Sequence, residues 1–265
     1  MRQIMAMGGN VDVAGILIGE FFRRCGGVDG RIVILPCASN LAQGGQPVQE
    51  RCLQLGIKIS PEILPIHARA LAYREEYIRA VHQASGIFFT GGDQAKLCSI
   101  LCGTPLLEAI HEKAAEGTVI AGTSAGAAAM GKVMIAHGRS GSGARRDLAY
   151  FAEGLGLLEN MIIDQHFHQR NRLGRLLFAV TVHPGSLGIG IDEDTAAVFE
   201  DQAFSVLGKN CVTVLQAAGE MTSNLADVNS GEYYAAGPLF INQLTQGSRY
   251  DLVHKAASIA QKPLE

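Results

Sequence analysis

The chain has 265 residues, of which 48% are hydrophobic, enough to bury a large core, so a disordered chain is excluded. Its 22 basic residues against 25 acidic ones leave a formal charge of -3, and no overall basic field exists to hold nucleic acid or an anionic membrane. The opening Met1-Arg2-Gln3-Ile4-Met5-Ala6-Met7 is too short for a secretory signal, and no run approaches the roughly 18 apolar residues of a membrane span. Six cysteines without a C-x-x-C pair read as free thiols of a reducing compartment, which makes the cytoplasm the expected location.

Short apolar runs ended by Gly, Pro or Ser alternate with longer amphipathic stretches, the pattern of an α/β protein with a mostly parallel sheet. In chain order the pattern predicts a strand over 3–7, a helix over 15–25, a strand over 31–35, a helix over 47–55 and a strand over 57–59. A helix over 73–85 and a strand over 86–90 come next, followed by helices over 93–101 and 105–116 and a strand over 118–121. The second half predicts a strand over 161–164, a helix over 172–182, and strands over 187–191 and 196–199. From about Cys211 the chain turns strand-like, which suggests an antiparallel edge on the same sheet near the C-terminus. The expectation is one doubly wound catalytic domain over 1–265, without internal repeats; the Gly-rich segment 138–143 reads as a flexible loop inside it.

The sharpest motif is Gly122-Thr123-Ser124-Ala125-Gly126. A β-branched run leads into it and an alanine-rich helix former leaves it, so G-x-S-x-G sits where a strand turns sharply into a helix. Such a turn strains the central backbone, the flanking glycines remove side chains that would clash, and the Ser124 hydroxyl is left exposed as a nucleophile. Amides at the helix start favour a developing oxyanion. A second strand-to-helix turn, Thr90-Gly91-Gly92-Asp93-Gln94, supplies the Gly92 amide as an oxyanion donor opposite Ala125, with Asp93 capping the helix that follows.

A serine needs a base. His166, in Asp164-Gln165-His166-Phe167-His168, follows an apolar strand at the sheet edge where ligands collect. In an extended chain His168 shares its face, as a metal pair would, but the sequence offers no obvious third ligand, and neither a metal nor a cofactor is expected. The carboxylate that would orient His166 lies in Asp192-Glu193-Asp194, and spacing alone does not choose among the three. The order of serine, histidine and acid differs from that of the hydrolase fold that usually carries G-x-S-x-G, which points to another α/β fold. Finally, Arg170-Asn171-Arg172-Leu173-Gly174-Arg175 packs three guanidinium groups beside His166, chemistry suited to bidentate capture of substrate carboxylates.

With these motifs in order, the chain resembles the cyanophycinases, serine peptidases similar in fold to class I glutamine amidotransferases (flavodoxin-like) and to aspartyl dipeptidases. The resemblance also rests on Gly154-Leu155-Gly156-Leu157-Leu158, Gly174-Arg175-Leu176 and Gly190-Ile191-Asp192-Glu193-Asp194-Thr195, while Gly8-Gly9-Asn10-Val11-Asp12 departs from the usual Gly-Gly-x-Glu-Asp turn. It implies a triad on Ser124, His166 and Glu193, thereby selecting one of the three acids. It also implies substrate-binding roles for Gln94, Asp164, Gln165, Arg170, Arg172 and Arg175. The family cuts cyanophycin, a poly-aspartate with arginine on each β-carboxylate, into β-aspartyl-arginine dipeptides, and its members are typically homodimers. An aspartyl or isoaspartyl dipeptidase acting on short peptides, and a catalytically silent binding homologue, are the alternatives.

Overall fold

The computed structural model describes residues 2–12, 14–40 and 44–261. Strand β1 (Gln3–Met7) and helix α1 (Ile16–Arg24) open the chain, followed by β2 (Ile32–Leu35), α2 (Gln46–Gln54), β3 (Glu62–Ile63) and α3 (Glu75–Gln83). Next come β4 (Gly86–Phe89), α4 (Gln94–Leu101), α5 (Pro105–Glu116), β5 (Val119–Thr123) and the single turn α6 (Ala125–Ala128). A hairpin of β6 (Val133–Gly138) and β7 (Ala149–Glu153) precedes β8 (Met161–Gln165), α7 (Leu173–Val182), β9 (Leu187–Ile191) and β10 (Thr195–Glu200). The remainder is β11 (Ala203–Gly208), β12 (Cys211–Ser223), β13 (Ala236–Thr245), β14 (Arg249–Asp251) and β15 (Ala256–Ser258).

Nine strands form the main sheet in the order β15-β14-β11-β10-β1-β5-β4-β2-β3. The half from β1 to β3 is parallel, and β10 joins β1 antiparallel to begin the other half. Alternation along each central strand divides the core between the two faces, because successive side chains of a strand point to opposite sides. Ile4, Ala6, Ile87 and Phe89 pack in one buried cluster with Val81 of α3, Leu97 of α4 and Ile110 of α5. Met5, Met7 and Phe88 pack in a second cluster with Leu17 and Phe21 of α1 and Cys52 of α2. Helices on both faces of a mostly parallel sheet are the doubly wound arrangement expected from the alternation of strands and helices.

The antiparallel edge is present, and it is built from β10, β11, β14 and β15. The chain after Cys211 divides its strands: β12 and β13 leave the main sheet for a second sheet of four in the order β13-β12-β9-β8, joined to it by the pairing of β12 with β9. The strand expected over 57–59 is absent. There Gly56 adopts φ +85°, and the Ile57 amide donates to Cys52 O at 3.2 Å, so the segment closes α2 with a left-handed cap instead of extending. Among the described residues no helix is long and apolar enough to cross a membrane.

Candidate active site

The two sheets meet where their strands end, and this junction assembles the site. In the main sheet β1 lies between β5 and β10, with Met7 opposite Thr123 on one side and Ala196 on the other. In the second sheet the end of β8 lies beside the end of β9, Gln165 opposite Ile191. Ser124 therefore follows β5, His166 follows β8, and Glu193 lies in the three-residue link from β9 of one sheet to β10 of the other.

Ser124 has φ 52° and ψ -112°, a conformation L-residues rarely take, worth about 1–3 kcal/mol of strain held by its surroundings. Its amide donates to Met7 O at 3.0 Å. The bend continues into α6 only because residue 126 lacks a side chain: a Cβ on Gly126 would lie 2.6 Å from Phe89 O. Ser124 Oγ is 2.9 Å from His166 Nε2 and a longer 3.4 Å from Gln165 Oε1.

His166 Nδ1 is 2.6 Å from Glu193 Oε1, so serine, imidazole and carboxylate form one continuous chain of hydrogen bonds. The backbone that aims the ring is held in its own left-handed turn, φ 46°, by donation of the His166 amide to Gly8 O at 2.7 Å. Burial pushes the imidazole below its usual range; the Glu193 hydrogen bond opposes that shift, and the charges of Arg170 and Arg172 add to it. The hydrogen bond from His166 holds the Glu193 carboxyl below the ordinary carboxylate range. A base that stays neutral near pH 7, backed by an ionised carboxylate, is equipped to take a proton from Ser124.

The three adjacent acids go three ways. Glu193 faces His166, Asp194 pairs with Lys209 at 2.6 Å, and Asp192 turns to His168 at 2.9 Å. The imagined pairing of His166 with His168 on one face does not occur, because the chain turns after β8 and sends the two rings to different acids.

Of the residues assigned to substrate binding, the structure brings Gln165 to the serine and leaves Arg170 exposed beside the triad, without a side-chain partner among the described residues. Gln94 instead donates to the carbonyls of Ile135 and Ala136, at 3.0 and 2.7 Å, and so anchors β6. Asp164, Arg172 and Arg175 are buried, 1%, 8% and 4% exposed. Arg175 grips both Asp164 oxygens, with its Nε at 2.6 Å from Oδ2. Arg172 reaches Asp164 Oδ1 at 3.3 Å and also the Gln165 carbonyl, and burial pushes its guanidinium down to about 10. This network braces the turn that carries His166. The Gly92 and Ala125 amides donate no hydrogen bond among the described residues, and Asp93 caps α4 by accepting from Ala95 N at 2.8 Å.

The sequence reading missed the contribution of the N-terminal turn. A Cβ on Gly9 would lie 2.4 Å from the His166 ring, and Asn10 Nδ2 donates to Glu193 Oε2 at 3.0 Å. Asn10, Val11, Ile18, Thr90, Ser124 and His166 are among the residues that line a groove of about 320 Å³ over the serine. The signal was available in the Gly8-Gly9 pair ending the first strand, but only the pairing of β1 with β5 and β10 reveals what those glycines approach.

The sequence pattern of Peptidase family S51 matches residues 10–207. A protein named cyanophycinase from Synechococcus elongatus is 39% identical over 254 residues, covering 94% of this chain and 79% of that one. One of the same name from Geminocystis herdmanii is 40% identical over 253 residues, covering 94% and 93%. The crystal structure of a peptidase from an acI-B1 Actinobacterium shares the fold, with a TM-score of 0.70 at 22% identity over 95% of this chain and 97% of that one. The geometry is on this footing no isolated coincidence, and the chain belongs to peptidase family S51.

Proposed function

We propose that the chain is a serine peptidase that hydrolyses cyanophycin to β-aspartyl-arginine dipeptides through an acyl-enzyme on Ser124. The observation that carries this is the unbroken relay from Ser124 Oγ through His166 to Glu193, at 2.9 and 2.6 Å, opening on a groove. The cyanophycinase relatives support the choice of polymer. His166 takes the Ser124 proton as the oxygen adds to the backbone carbonyl of a β-aspartyl-arginine unit. The Gly92 and Ala125 amides hold the oxyanion. His166 then returns the proton to the leaving amine, and water, activated by the same ring, cleaves the ester.

Arg170, whose side chain has no partner among the described residues, is the cation we assign to a substrate carboxylate, and Gln165 the amide we assign beside the scissile bond. Asp164, Arg172 and Arg175 serve substrate binding indirectly, by fixing the turn between β8 and α7. We read the chain as one catalytic domain, since a single buried cluster includes both Ile4 and Tyr250. Six unpaired cysteines support work in the reducing cytoplasm. The edge strand β13, with Phe240 and Ile241 more than half exposed, supports a homodimer; sedimentation of the purified chain as a monomer would refute that part. The test of the activity is incubation of purified chain with cyanophycin and with β-aspartyl dipeptides, product masses being read out. Release of β-aspartyl-arginine from polymer is expected; cleavage of dipeptides alone would make it a short-peptide enzyme.

A further inference from the structure

One step behind the triad, a second cluster of side chains is assembled by the same two turns. His168 lies two residues after His166, Asp192 immediately before Glu193, and Cys211 opens β12, which pairs with β9 through Val212 and Ile191. The ligand-capable atoms of these three residues lie within 4.8 Å of one another. Asp192 Oδ2 is 3.1 Å from His168 Nδ1 and 3.1 Å from Cys211 Sγ, and the nitrogen and sulfur are 3.6 Å apart. We propose that His168, Asp192 and Cys211 form a zinc site that ties together the segments delivering His166 and Glu193.

The distances make the case. Zinc holds imidazole nitrogen at about 2.0–2.1 Å, thiolate at about 2.3 Å and carboxylate oxygen at about 2.0–2.2 Å in a tetrahedron. The edges of such a tetrahedron are about 3.6 Å for N···S, about 3.4 Å for N···O and about 3.6 Å for S···O. The N···S edge already has that length. The carboxylate needs to retreat by about half an ångström at most.

The surrounding contacts are those that orient ligands. Asp192 Oδ1 accepts the His168 amide at 3.0 Å, and Oδ2, which accepts the Cys211 amide at a long 3.4 Å, keeps a lone pair for the ion. Gln243 Nε2 donates to Cys211 Sγ at 3.1 Å, the kind of donor that stabilises a thiolate behind a metal. Asp192 is 4% and Cys211 7% exposed, while His168 lies at the surface, so the fourth position opens to water. A thiolate, an imidazole and a carboxylate together suit zinc; calcium and magnesium demand oxygen alone. The ion touches neither Ser124 nor His166, and its role is to clamp β9, β12 and the turn after β8.

The experiment titrates zinc into chelator-stripped chain against a chromophoric zinc chelator, with melting temperature followed in parallel. One zinc per chain, with a dissociation constant below micromolar and a higher melting temperature, is expected. Removal of an outer-shell partner already costs about 10–100-fold in affinity, so Cys211→Ser or His168→Ala should each weaken binding by more than about 100-fold. Cobalt in place of zinc should give a near-ultraviolet thiolate-to-metal band that Cys211→Ser abolishes. Because the His168 side chain lies at the surface, His168→Ala reads the site even if Cys211→Ser fails to fold. Zinc affinity unchanged in His168→Ala, absence of binding by the unmodified chain, or a cobalt complex without the thiolate band would each overturn the proposal.

Discussion

Replacing Gly9 by alanine tests whether the triad depends on the N-terminal turn. The added Cβ would lie 2.4 Å from His166 Cε1 and Nε2, where carbon atoms in contact sit about 3.5–4.0 Å apart. The ring must therefore withdraw by about 1 Å, because its backbone is fixed by the 2.7 Å bond to Gly8 O and Nδ1 by Glu193. That shift opens the 2.9 Å contact with Ser124 Oγ, and a misplacement of about 1 Å costs roughly 10²-fold in rate. Gly9 has φ +99°, so alanine also adds about 1–3 kcal/mol of backbone strain. Gly219→Ala separates the two effects, since Gly219 has φ +87° with open space around its Cβ position. Measured as kcat for dipeptide release beside the melting temperature, Gly9→Ala should lose activity about 10²-fold while Gly219→Ala loses only stability. Equal kcat in both variants would mean that the His166 ring does not depend on the bare Cα of Gly9.

Glu193→Gln keeps the shape but removes the charge that orients His166, and kcat should fall by about 10⁴-fold with the fold intact; a loss under tenfold would remove Glu193 from the relay. Asp164→Ala leaves two buried guanidinium groups without their carboxylate, and urea denaturation should show a loss of about 3–5 kcal/mol; a loss below about 1 kcal/mol would mean the network does not brace the turn. Arg170→Ala should raise KM for cyanophycin and move the acid limb of kcat/KM to higher pH. The sign follows from charge: activity needs neutral His166, whose proton affinity is lowered first by burial and then by Arg170 and Arg172 against Glu193, so deleting one cation strengthens proton binding. Recorded in chelator, an unmoved KM and an unmoved limb would exclude Arg170 from the substrate's surroundings.

The parallel half of the sheet was legible because each of its central strands is a short apolar run ended by Gly or a turn, and the helices between them carry 3.6-residue periodicity. Ser124 was legible for a related reason: G-x-S-x-G between a strand and a helix allows few other geometries. The second sheet was not, since β9 runs into β10 through only Asp192-Glu193-Asp194, and nothing in the period of the side chains tells that the two strands pair in different sheets. The hairpin of β6 and β7 was hidden by the polar loop between them. The arginine cluster was legible as charge but its inward turn was not: Arg172 at the start of α7 and Arg175 within it face Asp164, a partner eight and eleven residues earlier in the chain.

The central claim is that Ser124 carries the acyl group, and reaction with a serine-directed fluorophosphonate followed by peptide mass analysis reads that atom directly. A single covalent adduct is expected on the peptide containing Ser124, lost in His166→Ala and in Ser124→Ala together with cyanophycin hydrolysis. An unlabelled Ser124 in a preparation that still releases β-aspartyl-arginine would contradict it.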